Sequence, residues 1–236
     1  MNVRIKFRKY GCLKFIGHLD VMRYFQKAMR RAELPVCYSE GYSPHMIMSF
    51  ASPLGVGLTS DGEYLDVRME NPPASREALS RLNAVMAEGI EVLSFKALPE
   101  KSGNAMASVA AADYEIRFRS GYEPKDGWQE RFRTFMEKAA IPVIKEGKKG
   151  LRELDIRPMV YGWQVLGEVI CLQVSAGSAG NLKPELLLQA FADNEGVELP
   201  PHALLVHRKE LYMDQGEEGT RSLIPLEALG EEIGRA

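Results

Sequence analysis

The sequence is poor in the residues that usually signal a metal or redox centre. Three cysteines, Cys12, Cys37 and Cys171, and four histidines are spread over 236 residues. No two cysteines are spaced as a metal or redox pair, and their odd number argues against a disulfide framework. Reduced thiols and no cofactor are therefore expected. Also missing are a GxxxxGK phosphate loop, a GxGxxG after the first strand, a GxSxG and an HExxH. Gly55-Val56-Gly57 lacks the third glycine and following helix of a dinucleotide loop and reads as a turn. No apolar run reaches membrane-spanning length. Met1 to Arg8 alternates charge with apolar residues where a signal peptide needs an apolar core, so a cytoplasmic protein is expected.

What is present is a folded-protein composition, 45% apolar and 26% charged, with a net charge of only −2. The charge is unevenly placed. Met1 to Val36 holds nine basic residues (Arg4, Lys6, Arg8, Lys9, Lys14, Arg23, Lys27, Arg30 and Arg31) against Asp20 and Glu33. Such an excess suggests a face for an anionic partner, with RNA or a phosphorylated ligand as candidates.

Periodicity supplies the element order. Val3, Ile5 and Phe7 alternate with charged residues as a half-buried strand. Met22, Phe25, Met29 and Ala32 then line one face of a helix over His18 to Leu34, whose other face carries Arg23, Lys27, Arg30 and Arg31; Pro35 stops it. Strands are expected at Met46–Ala51, at Tyr64–Met69 after a turn at Asp61-Gly62, and at Ile90–Ala97, with a helix capped by Ser75 between the last two. After a small-residue linker at Pro99–Ala112 the order recurs. Tyr114, Ile116 and Phe118 mark a strand, and Asp126 caps a helix through Trp128, Phe132 and Phe135. Pro142–Ile156 and Trp163–Ser175 form a strand pair, with Lys145–Gly150 polar enough for a mobile hairpin loop, Pro184 opens another helix, and Leu204–Met213 is the last strand. The expected class is α+β with two tandem ferredoxin-like (βαββαβ) halves, residues 1–100 and 110–215, followed by a charged tail at 216–236 with a short helix at Leu226–Ile233.

Chemistry concentrates in Gly17-His18-Leu19-Asp20 and Tyr38-Ser39-Glu40-Gly41-Tyr42-Ser43-Pro44-His45. His18 and Asp20 occupy a helix mouth, where outward-pointing N–H groups attract anions, with Arg23 one turn on. His18, Asp20 and His45 are the candidate catalytic residues. Two histidines with Asp20 and a Glu would suit zinc or iron, but without close ligand spacing no metal is expected. Lys9, Arg23, Lys27, Arg30, Arg31, Tyr38, Ser39 and Tyr42 are the candidate nucleic-acid or anion contacts, tyrosines beside cations being the mixture that single strands use. Lys149 and Arg157 extend the set within a second basic cluster.

With these positions in view, the first half resembles the radical-SAM-linked protein family, a bacterial domain found alone or joined to cobalamin-binding radical SAM proteins. The resemblance rests on Lys9, Gly11, Phe15, His18-Leu19-Asp20, Arg23, Arg30-Arg31-Ala32, Pro35, Tyr38-Ser39, Gly41-Tyr42, Pro44-His45, Phe50-Ala51, Pro53-Leu54, Gly57, Ser60 and Glu63-Tyr64. Lys149 to Pro158 looks like a second, weaker motif. Gly17 stands where the family usually has serine. The resemblance implies a radical SAM protein as partner. That partner would hold the iron–sulfur cluster, since this chain lacks three closely spaced cysteines. The leading expectation is an accessory module that recognises RNA, in tRNA or rRNA modification or processing. The alternatives are a metal-independent ribonuclease or RNA-modifying transferase using His18, and a protein-interaction scaffold.

Overall fold

A computed structural model describes residues 1–147, 150–217 and 219–234, and side chains throughout except at 145–147. The fold is mixed α+β with mostly antiparallel strands, and the chain forms two compact units, Met1–Ala110 with Arg208–Ala236, and Ala111–His207.

In the first unit β1 (Asn2–Lys9) leads through a 3-10 turn at Gly11–Phe15 into α1 (His18–Arg31). Next come β2 (Met48–Phe50), β3 (Thr59–Arg68), α2 (Ser75–Val85), β4 (Ile90–Ala97) and the short helix α3 (Ala105–Ser108). β1 pairs antiparallel with both β3 and β4, and β2 pairs antiparallel with β3. Alternation along β1 divides two environments. Val3, Ile5 and Phe7 enter an apolar core with Phe25 and Met29 of α1, Leu82 of α2 and Phe95 of β4. Phe7, Phe25 and Phe50 meet ring to ring, with centroids 4.6 to 6.1 Å apart.

The other face is charged and covered. Arg4, 1% exposed, lies opposite Asp66 in the β1–β3 register and grips it with two bonds, 2.8 and 2.9 Å. A third arm of Arg4 donates to the Leu226 carbonyl, and Asp66 also accepts from the Ala105 amide. Lys6 reaches Glu210 and Glu227, each at 2.7 Å, and the Tyr64 hydroxyl donates to Glu210 at 2.6 Å.

Chain after residue 203 completes this cover. β10 (Leu204–Asp214) brings its Arg208–Asp214 stretch beside β3, and β11 (Leu223–Pro225) pairs with β10. A 3-10 turn at Leu226–Leu229 and β12 (Glu231–Glu232) on the β4 edge follow. Residues read from the sequence as a tail with a helix at Leu226–Ile233 therefore form strands and a turn, with Leu226 fully buried. Ser75 is not the α2 cap either: Ala74 is, while the Ser75 hydroxyl and amide tie down Ile233. Asp61-Gly62 is strand rather than turn, because a Cβ at Gly62 would sit 2.6 Å from the Glu210 Cα, so glycine admits the neighbouring backbone.

The second unit holds β5 (Ala111–Phe118), α4 (Trp128–Met136), β6 (Pro142–Gly147), β7 (Gly150–Asp155), β8 (Val160–Leu166), β9 (Val169–Ser175) and α5 (Pro184–Asn194). β5, β9 and β8 are antiparallel neighbours. Pro142–Ile156, where the polar Lys145–Gly150 stretch suggests a hairpin loop, holds the antiparallel pair β6 and β7, with Lys148 and Lys149 outside the described residues. The strand expected at Trp163–Ser175 falls in the hairpin of β8 and β9, turned where Gly167 adopts a φ of 58°. α4 starts from Gly127 with no side-chain cap, so Asp126 does not cap it. Phe132 packs on Trp163 and Phe191 at 6.1 and 5.1 Å.

Asp66→Ala would leave a buried guanidinium uncompensated and is expected to cost about 3–5 kcal/mol in denaturant unfolding. Asp20→Ala, at a solvent-exposed pair, should cost under about 1 kcal/mol; similar costs for the two would contradict this assignment. The tail contacts also carry a pH signature. Burial opposes the charge of Glu227, but the hydrogen bond and charge of Lys6 outweigh it and its pKa is lowered; burial likewise opposes Lys6, but Glu210 and Glu227 hold its pKa raised. The Glu227 contribution is thus present above its ordinary 4.5 and lost as pH falls through the lowered value; the Lys6 contribution is present below 10.5 and lost as pH rises further. Thermal scans should show both limbs, with Glu227→Gln shrinking the acid one.

Candidate functional site

α1 begins at Gly17, extended at φ −79°, with no side chain capping it, as expected where serine is missing. His18, half-buried, meets the Phe50 ring edge-on at 5.1 Å. Asp20 and Arg23 are both exposed and stand 3.7 Å apart. Because Val21, Phe25, Ala28 and Met29 face the core, Arg23, Lys27, Arg30 and Arg31 share the solvent side. Arg31 donates to the Val85 carbonyl at 3.4 Å.

The loop from Tyr38 to Met46 is clasped at its neck. Tyr38 bridges to Met46, the Ser39 amide donates to the His45 carbonyl, and the Ser39 hydroxyl accepts from the His45 amide at 3.1 Å while lying 2.8 Å from the His45 Nδ1. Gly41, at φ 106°, allows the reversal, and Tyr42 at the tip is fully exposed. An open depression of about 790 Å³ is lined by Tyr38, Ser39 and Glu40 together with Arg68 and Glu70. Ser39 and His45 are thus brought together, as are Asp20 and Arg23, while the ring contact of His18 is with Phe50.

Lys9 does not belong to the exposed set. It is 2% exposed and donates to the Ile16 carbonyl at 3.2 Å, just before the helix mouth. Burial lowers its pKa; the Glu63 carboxylate opposes that shift and the Arg208 guanidinium adds to it. Arg208 bonds Glu63 at 2.5 and 3.0 Å and the Ser52 carbonyl at 2.7 Å. This buried group joins β3, the turn before His18 and the chain after Phe50. Arg208 was missed from the sequence because 145 residues separate it from Glu63.

In the second unit Arg157 donates to the Met136 and Val160 carbonyls at 3.2 and 3.3 Å, which makes it a clamp between backbone segments. Lys149 lies outside the described residues. Among the described residues no three His, Cys, Asp or Glu side chains converge as metal ligands, and no helix is long and apolar enough to cross a membrane.

Residues 2–184 match the model of a family described as "Uncharacterized protein conserved in bacteria (DUF2344)". The chain belongs to that family. The matched span includes α1, the Tyr38–Met46 loop and Arg157, and ends before Arg208. No curated protein matches the chain. Among solved structures, one chain of the crystal structure of a Cbf5-Nop10-Gar1 complex is similar, at 14% identity and a TM-score of 0.43. The similarity covers 89% of this chain and 48% of that one, so this chain spans about half its length. A likeness of that degree does not bear on function.

Ser39→Ala removes the acceptor of the His45 amide. Hydrogen exchange at His45 should accelerate at least several-fold while the amides of α1 stay unchanged; unchanged exchange at His45 would show that the clasp does not hold the loop.

Proposed function

We propose that this chain is an accessory RNA-recognition module that acts in the cytoplasm with a radical SAM enzyme, in tRNA or rRNA modification or processing. The observation that carries the reading is the solvent face of α1, where Arg23, Lys27, Arg30 and Arg31 lie together and exposed. Cations in one row neutralise successive backbone phosphates and release their counterions. Tyr42 at the loop tip, half-exposed Tyr38 and the depression beside Ser39 offer stacking faces and room for unpaired bases. The radical SAM partner rests on the sequence resemblance, which would leave the iron–sulfur chemistry to that other chain.

The same reading takes the architecture as tandem ferredoxin-like halves. In the first unit the antiparallel order β4-β1-β3 with β2 on β3, crossed by α1 and α2, supports a split βαβ. In the second, β5-β9-β8 with α4 and α5 supports a like arrangement carrying the β6–β7 hairpin as an insertion. The buried Lys9–Glu63–Arg208 group then acts as the base on which the helix mouth is set.

The test is binding of a single-stranded RNA oligonucleotide across a salt series. Affinity should fall with salt. The triple variant Arg23→Glu, Lys27→Glu, Arg30→Glu should bind at least tenfold more weakly, and its salt slope should flatten by about 0.7 for each phosphate left without a cation. Binding indifferent to salt and to the variant would overturn the proposal. Cleavage of the RNA in EDTA, abolished in His18→Ala, would also overturn it and make the helix mouth a catalytic site.

A further inference from the structure

The second unit contains a cavity of about 410 Å³ between the Tyr122–Asp126 loop, α5 and the segment that follows it. That volume lies within the range of small-molecule sites. Its apolar wall is made by Phe118, Leu188, Phe191, Val197 and Leu199. Two of these are fixed from behind by aromatic contacts, Phe118 on Trp128 at 5.3 Å and Phe191 on Phe132 at 5.1 Å. The wall is therefore built into the core of the unit.

The rim has one predominant sign. Glu123, Asp126, Glu195 and Glu198 line it, against Lys125 and Arg131. Arg131 is committed to the protein: its guanidinium pairs with the Glu195 carboxylate and donates to the Asp126 and Lys125 carbonyls at 2.8 and 3.0 Å. These bonds also pin the loop over the cavity. Glu123 accepts from the Gly121 amide. Setting the Arg131–Glu195 pair aside, three carboxylates face one ammonium, and Asp126 and Glu198 are exposed. Tyr122, half-exposed at the same edge, adds a ring face that attracts cations.

The geometry points to a binding site for a small amphipathic amine, its aliphatic or aromatic body against Phe118, Leu188 and Phe191 and its ammonium among the rim carboxylates. A carboxylate of the same shape would fill the same apolar space and meet charge of its own sign. This site lies within the second unit and does not depend on RNA binding by the first.

The experiment is calorimetric titration of the full chain with 4-phenylbutylamine and 4-phenylbutyrate, which share a body and differ in the sign of the end group. The amine should bind at least about tenfold more tightly. In the Asp126→Lys, Glu198→Lys double variant, changed only at exposed rim positions, the preference should invert. Glu198→Lys alone should narrow it and serves if the double variant does not fold. Equal affinities, no binding of the amine at millimolar concentration, or a preference that survives the rim substitutions would overturn the assignment.

Discussion

The first unit depends on one buried ion pair. Arg4 and Asp66 face each other across β1 and β3, and around them the Leu226 carbonyl and the Ala105 amide complete the bonding. Taking both charges out of water costs several kcal/mol, which a forked pair with further hydrogen bonds can offset. Its consequence is geometric: the bonds tie β1, β3, α3 and the chain after β11 to one alignment. A one-residue slip between β1 and β3 would turn Arg4 into the apolar core and Ile5 out among the charges. Lys6, Tyr64, Glu210 and Glu227 extend this charged layer along the same face.

That layer sorts the basic residues of the N-terminal segment. Arg4 and Lys6 are engaged by carboxylates, Arg8 stands 3.4 and 3.3 Å from Asp61 and Glu91, and Lys9 is buried beside Glu63. Lys14, Arg23, Lys27, Arg30 and Arg31 remain with the turn and helix that follow. The cations of β1 thus serve the fold, whereas Arg23, Lys27, Arg30 and Arg31 of α1 are exposed. The same division explains why the helix mouth is firmly placed: the buried Arg208–Glu63 pair and Lys9 hold its base, while Phe50 packs on His18.

Periodicity made the local elements legible. The face of α1 follows from Phe25 and Met29, and β4 occupies the expected Ile90–Ala97. Pairing over long separations was not legible: Arg4 to Leu226 spans 222 residues and Tyr64 to Glu210 spans 146, distances at which periodicity carries no information. For that reason Lys9 read as an anion-binding cation and residues after 215 as a charged tail. Asp61-Gly62 carried turn chemistry that β10 overrides by close approach, and the turn at Gly167 was hidden within a run of strand character, whereas the polar Lys145–Gly150 stretch pointed to the β6–β7 hairpin. The density of His, Tyr and Ser at residues 38–45 drew attention to the loop, but not to the clasp between Ser39 and His45 that closes it.

The central claim is that the α1 face and the Tyr38–Met46 loop meet RNA. Ultraviolet crosslinking in cells, followed by purification of the full chain and mass-spectrometric mapping of crosslinked peptides, addresses it directly. Adducts should fall on the peptides carrying Tyr38, Tyr42 and the Arg23–Arg31 stretch, on RNA recovered with the chain. An absence of RNA adducts, or adducts confined to peptides of the second unit, would contradict the account.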